Sequence, residues 1–275
     1  MDLSHYKNLV PDSPLHRHLE QLLREQNGQA TVETICQEVL QLAAPPPPLA
    51  ATLVEALVEG DPRLHFDGED IVEWVEPGAE DLWAAARRFA VVDVESTNGG
   101  RGEQRVIEVG VTLVEDGKVA REWSSLVNPE RRIPYWVQQL TSINDAAVAA
   151  SPRFAELVPA LLEQFEDAVL VAHHARFDVA CINSEFSRAL GKRLTNPYLC
   201  TVEVSRRHLP GAENYRLETL SQWLRLTHER PHRAGSDARA TAELFCHLLG
   251  STEAPWPDFL RPRGPRAPKL AETKP

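Results

Sequence analysis

The segment from Phe89 to Glu95, FAVVDVE, restricts this chain more than any other stretch. Its apolar run reads as a buried strand. Asp93 and Glu95 are two apart on that strand, so both side chains leave the same face. Other acids stand at the edges of other apolar elements: Asp178 in HHARFD, and Asp237, with His232 ahead of it, in HRAGSD. Carboxylates gathered in one place repel, and a site built from them is stable only with positive charge among them. A pair of divalent metal ions would serve, and such pairs clamp the attacking and leaving oxygens of phosphodiester cleavage. These residue types therefore point to a metal-dependent nuclease.

The rest of the composition fits such a chain. At 275 residues there is length for two domains, and 43% hydrophobic with 25% charged residues is ordinary for globular protein. No apolar run is long enough to cross a bilayer, and MDLSHYKNLVPDS lacks the basic and apolar halves of a secretory signal. Cys36, Cys181, Cys200 and Cys246 are widely spaced and make no CxxC pair, so reduced thiols in a cytoplasmic protein are expected. The net charge of −11 is uneven: residues 1–80 hold 15 acids against 4 bases, whereas residues 81–275 hold 25 of each. Overall acidity thus does not argue against a nucleic-acid substrate at the second part.

Residues 1–80 predict a small domain of their own. Apolar residues at 15, 19, 22 and 23 space a helix over 15–26, ended by Asn27-Gly28. A second helix is expected over 31–42 with Thr31 as N-cap, and a third over 49–59 after the prolines 45–48. Residues 64–66 and 71–75 read as a hairpin around Asp67-Gly68. Three helices and a hairpin resemble a winged-helix domain of the α+β class. The third helix, LAATLVEALVE, has two glutamates and no Lys or Arg, which disfavours DNA contact. A protein-interaction or structural module is expected instead, with a polymerase or repair protein as the candidate partner. Residues 76–81 read as a linker.

From Phe89 the pattern changes. A second strand and a third, turning at Asp116-Gly117, precede another buried strand in DAVLVAHH. Helices are expected over 154–166, 178–190, 201–208, 216–226 and 237–249, giving an α/β domain over 84–250 in which helices flank a mixed sheet. The tail 251–275 holds six prolines and five bases and reads as disordered. His173 reads as a core residue at a strand end. His16 and His18 lack acidic or cysteine neighbours and do not suggest a metal site.

VVDVEST, VAHHARFD and HRAGSDARATAELF, in that order and spacing, resemble the three motifs of the DEDDh (DnaQ-like) 3′–5′ exonucleases, which include the proofreading epsilon subunit of bacterial DNA polymerase III. RVIEVG, IPYWVQQLTSIND and ENYRLETLSQWL support the resemblance. It implies a ribonuclease H-like fold with a mixed five-stranded sheet, and release of nucleoside 5′-monophosphates from 3′ ends. By position, Asp93 and Glu95 fill the first motif, Asp178 the second and Asp237 the third. His232, five residues before Asp237, marks the histidine subclass. The resemblance implies two divalent cations, Mg²⁺ or Mn²⁺, on Asp93, Glu95, Asp178 and Asp237, with His232 as general base. Glu95, Ser96, Thr97 and His174 are the candidate substrate contacts. Three positions depart from the usual motifs: Ser96-Thr97-Asn98 where two threonines and a glycine are usual, His174 where asparagine is, and Thr141-Ser142-Ile143 where Thr-Gly-Ile is.

Any one of these acids has a bland reading, Asp93 as a strand-end residue or Asp178 as a helix N-cap. All five residues together, in order, favour the site. The expected function is metal-dependent 3′–5′ hydrolysis at DNA 3′ ends, single strands preferred, in proofreading or repair. RNA is the alternative substrate, and a non-catalytic docking protein is the alternative class.

Overall fold

The computed structural model describes residues 6, 8–75, 88–97 and 104–251. The expected linker, the position Asn98 and the tail beyond Ser251 lie outside the described residues. The chain divides into two compact units. One comprises residues 1–82 with 191–195, the other 83–190 with 196–264, apart from the C-terminal residues.

In the first unit, helix α1 (Pro14–Glu25) starts where Ser13 accepts the His16 N–H and buries Leu19, Leu22 and Leu23. Thr31 caps α2 (Val32–Thr34), its Oγ1 accepting the Thr34 N–H at 3.1 Å. The helix expected over 31–42 then widens into a π-helical turn, Ile35–Val39, and ends at Leu40. Helix α3 (Pro47–Val58) opens on two prolines, where their missing N–H groups cost nothing. Ala50, Val54, Leu57 and Val58 face the core, while Glu55 and Glu59 are exposed. Strands β3 (Leu64–Phe66) and β4 (Ile71–Trp74) form the expected hairpin, and a strand not foreseen, β2 (Gln29–Thr31), pairs with β4. A second unforeseen pair joins β1 (Leu9–Pro11) to β9 (Lys192–Leu194), antiparallel. Arg193 binds Glu20 and Asp12 there.

The second unit is a mixed five-stranded sheet in the order β10-β8-β5-β6-β7, the ribonuclease H-like arrangement expected. Its strands are β5 (Arg88–Ser96), β6 (Val106–Glu115), β7 (Lys118–Leu126), β8 (Val169–Ala172) and β10 (Tyr198–Cys200). β5 runs antiparallel to β6 and parallel to β8; β7 is antiparallel to β6 and β10 parallel to β8. Seven helices accompany them among the described residues: α4 (Tyr135–Thr141), α5 (Asp145–Val148), α6 (Phe154–Phe165), α7 (Ala175–Leu190), α8 (Thr201–His208), α9 (Leu217–Leu224) and α10 (Ala234–Gly250). No helix among the described residues is long and apolar enough to cross a membrane.

One face of β5 explains where the acids go. Phe89 and Val91 lie in a core with Val169, Val171 and Leu199 of the sheet and with Leu244, Phe245 and Leu248 of α10. The Phe89 and Phe245 rings meet edge to face at 4.8 Å. Burying a side chain of that size stabilises by roughly 2–3 kcal/mol. The alternation of β5 continues this face into Asp93 and Glu95. The same face that packs α10 at one end is therefore acidic at the other.

Candidate active site

Register on the sheet puts Asp93 opposite Gly110 and Glu95 opposite Glu108. Side chains directly opposite share a face, so two carboxylates of β5 and one of β6 meet beside a residue with no side chain. A Cβ at Gly110 would lie 2.3 Å from the Ala234 carbonyl oxygen and 2.6 Å from the Gly235 nitrogen. Gly110 thus lets the first turn of α10 cross the sheet at van der Waals distance, and that turn carries Asp237.

Asp178 arrives from the first turn of α7 and is 4% exposed. β8 pairs with β5 only as far as Val91. Beyond it the Val94 N–H donates to Asp178 Oδ1 at 3.2 Å. α7 begins at Ala175 and α10 at Ala234, each three residues before the start expected, so Asp178 and Asp237 sit in first turns, where the helix dipole favours negative charge.

Asp237 is held at both oxygens. The His228 Nε2–H donates to Oδ1 at 2.7 Å, and the His232 backbone N–H donates to Oδ2 at 3.1 Å. His232 is exposed and takes the left-handed conformation, φ +62°, which a residue with a Cβ adopts only under constraint. Side-chain ligand atoms of Glu95, His232 and Asp237 all lie within 4.8 Å of one another. Asp93 and Asp178 stand outside that trio but within its electrostatic reach.

Burial pushes the Asp93 carboxyl well above its usual range, and the charges of Asp178, Asp237 and Glu95 push it further. Burial and then Asp237 and Glu108 raise Glu95 to about 8. Asp178 rises to about 7, chiefly by burial, against the pull of the Val94 N–H. A cluster of hard oxygen donors that holds protons for want of positive charge suits a divalent cation of the Mg²⁺ or Mn²⁺ type.

The shifts fix a sign. Unfolded carboxylates titrate near about 4. Through the window up to about 8 the folded, metal-free chain holds protons that the unfolded chain has released. Its stability must fall as pH rises there. His173, whose pKa burial lowers to about 4, acts oppositely, but only below its ordinary value of 6.5. The unfolding midpoint in EDTA is therefore expected to drop between about pH 6.5 and about pH 8, and saturating Mn²⁺ to flatten the drop. A midpoint that holds level or rises across that interval in EDTA would contradict the clustering of charge.

Three residues that sequence reasoning missed hold the histidine loop. Glu108, 4% exposed, accepts from Arg233 Nε at 3.0 Å, from Arg233 Nη2 at 2.7 Å and from the Ala234 N–H at 2.8 Å. The arginine neutralises this extra carboxylate, and the amide contact caps a helix whose own N-cap residue offers no side-chain bond. His228 is the third. Its spacing four residues before His232 was the available signal.

The remaining sequence candidates divide. His173 is the core residue expected: its Nε2–H donates to the Tyr215 carbonyl at 2.9 Å, and Nδ1 lies 2.8 Å from the Thr201 hydroxyl. His174 is exposed, its ring edge-on to His173 at 5.6 Å. Thr97 is buried, and its hydroxyl accepts the Arg105 N–H at 3.1 Å, so it closes the chain on itself. Ser96 is buried at the end of β5. Ser142, standing where glycine is usual, takes φ +58°, the conformation glycine accepts without strain.

The exonuclease (RNase_T) family profile matches residues 90–245. The epsilon subunit of DNA polymerase III from Aquifex aeolicus is 33% identical over 161 residues, covering 58% of this chain and 80% of that protein. The 3′-5′ exonuclease DinG of Bacillus subtilis is 34% identical over 164 residues, 59% of this chain but only 18% of DinG. The chain thus spans a minor part of some curated relatives. Among solved structures, the nuclease domain of 3′hExo, a DEDDh family member bound to rAMP, superposes with TM-score 0.55 at 15% identity, covering 65% of this chain and 97% of that one. E. coli exonuclease I with single-stranded DNA gives TM-score 0.54 at 15% identity over 62% and 42% of the two chains. With its fold, its acids and its relatives in agreement, this chain belongs to the RNase_T exonuclease family, the DnaQ-like 3′–5′ exonucleases of the DEDDh type.

Proposed function

We propose that the chain hydrolyses phosphodiester bonds at DNA 3′ ends, single strands preferred, and releases nucleoside 5′-monophosphates in proofreading or repair. The carrying observation is the convergence of Asp93, Glu95, Asp178 and Asp237 on one sheet end, with the His232 ring in reach of Glu95 and Asp237. The four carboxylates would hold two divalent cations, Mg²⁺ or Mn²⁺. Such ions, when bound, supply positive charge to the attacking and leaving oxygens.

His232 takes a proton from the attacking water at a ring nitrogen, as a general base. Water adds to phosphorus, the P–O3′ bond breaks, and the departing O3′ takes a proton from solvent to become the new 3′ hydroxyl of the shortened strand. Glu95, at the end of β5, is the proposed contact for the terminal 3′ hydroxyl, a contact that would restrict attack to chain ends. Asp237 stays oriented through His228 and the His232 amide.

Glu108 and Arg233 act through the loop. Glu108→Gln keeps the side-chain shape but leaves Arg233 without its charge partner. It is expected to lower kcat by at least about tenfold, the scale of unpairing a buried charge. In a His232→Ala background the same change should cost little more, since the loop would no longer carry the group it positions. Multiplying losses would place Glu108 elsewhere in the chemistry.

For residues 1–80 we propose a winged-helix-like module that docks a polymerase or repair protein. The exposed acids Glu33, Glu38, Glu55, Glu59, Asp67, Glu69 and Asp70 support a protein partner over DNA, because phosphates repel such a surface. Four free cysteines suit a reducing cytoplasm.

The function is tested with matched 5′-labelled DNA and RNA single strands in Mg²⁺, Mn²⁺ or EDTA. A metal-dependent ladder that shortens DNA from its 3′ end is expected. A ladder on RNA alone moves the enzyme to RNA processing, and no cleavage with any metal leaves the docking role.

A further inference from the structure

Tyr135 and Trp136 are 76% and 55% exposed, and Leu140, just over a turn on, is 47% exposed. They stand on the outward side of α4, whose inward side sends Val137 into a small core with Ile107, Ile133, Ile143 and Val148. Arg131 and Arg132, both exposed, lead into this helix, and the helix itself, YWVQQLT, carries no acid. Large apolar rings exposed side by side are not the default of a protein surface and mark contact sites.

The position of the patch is fixed from the catalytic strand. Thr97, two residues beyond Glu95, donates its N–H to the Arg105 carbonyl at 2.8 Å. The Arg105 guanidinium donates to Glu130 at 3.2 Å and to Glu185 at 2.9 Å. Glu130 immediately precedes Arg131. Ile107, beneath the helix, neighbours Glu108 on β6. The patch therefore belongs to the end of the sheet where the acids gather.

We propose that Arg131, Arg132, Tyr135 and Trp136 form a ledge that carries the single strand leading to the site, bases on the rings and phosphates on the guanidinium groups. The inference rests on the exonuclease reading and extends it to the strand behind the terminal nucleotide. Aromatic rings stack on any base, so the ledge fits an enzyme that must pass along arbitrary sequence. Charge decides the occupant. Two adjacent exposed guanidinium groups beside rings complement a polyanion. Tyr, Trp and Arg also suit protein interfaces, which is the competing outcome.

The test compares Tyr135→Ala, Trp136→Ala and the double Arg131→Ala/Arg132→Ala in the full chain. Binding of a labelled oligothymidylate is read by anisotropy in EDTA, where no strand is cut. Hydrolysis of the nitrophenyl ester of thymidine 5′-phosphate, too short to reach the ledge, is read with Mn²⁺. Each ring variant is expected to weaken strand binding by at least about fivefold. The arginine pair is expected to reduce the salt slope of binding by about 1.4, at about 0.7 for each phosphate no longer neutralised. Ester hydrolysis is expected to stay at the wild-type rate in all three. Unchanged strand affinity in every variant would overturn the ledge and leave a protein partner for the patch. Parallel losses on ester and strand would overturn it too, as a defect of the whole site. Strand binding that needs the ledge in a protein without ester hydrolysis would instead leave the ledge standing and remove the exonuclease reading.

Discussion

Asp93→Asn should yield a protein that no longer shortens a 5′-labelled strand with any divalent ion, yet melts no lower than the wild type in EDTA. The two halves of that result have one cause. Asp93 is pressed by burial and by the charges of Asp178, Asp237 and Glu95 until it holds its proton well above the usual carboxylate range. The metal-free fold gains nothing from its charge, so a neutral amide of the same shape relieves repulsion. Cation binding needs that charge. Without it the rate is expected to fall by a factor on the order of 10³ or more, the scale of removing one preorganised electrostatic group. The rise in midpoint that Mn²⁺ confers on the wild type should disappear as well. Activity within about tenfold of wild type, roughly 1.4 kcal/mol in barrier, with normal thermal stabilisation by Mn²⁺, would remove Asp93 from the site.

His232→Ala should cost a factor of about 10²–10⁴ in kcat, the range for loss of a general base. The side chain is exposed, so no core is disturbed. The backbone is constrained, however: φ is +62°, the amide is committed to Asp237, and Arg233 is clamped to Glu108. His232→Gly relaxes that φ while removing the same ring, and it should be as inactive as the alanine form but slightly more stable. The ring also lies close enough to Glu95 and Asp237 to serve as a ligand in its own right. Titrating Mn²⁺ separates the roles. A base leaves the half-saturating concentration unchanged while kcat collapses; a ligand raises that concentration. Retention of most of kcat at saturating metal would refute the base.

What could be read in advance was whatever depends on neighbours in sequence. FAVVDVE declared its strand and the shared face of its acids because alternation is local. Thr31 declared a helix start because capping is local too. Helix α8 falls on the expected 201–208. The π-helical turn at Ile35–Val39 was hidden, since its apolar spacing matches an ordinary helix. β2 is three residues long, below the length at which alternation can be seen. Glu108 sat in a strand that reads as apolar, and its partner Arg233 is 125 positions away, so nothing in RVIEVG distinguishes an anchor from a solvated acid. Gly110 was visible only as a letter until the Ala234 carbonyl was found against it.

The pairing of β1 with β9 sets an order of manufacture. Leu9–Pro11 leaves the ribosome long before its partner, Lys192–Leu194, is made. By the time that partner emerges, β5, β6, β7 and β8 have all been translated, whereas His232 and Asp237 have not. The unit that begins first can close its two-stranded sheet only after most of the catalytic sheet has been translated, and the catalytic site gains its last residues later still. The two units are thus completed in alternation, not one after the other.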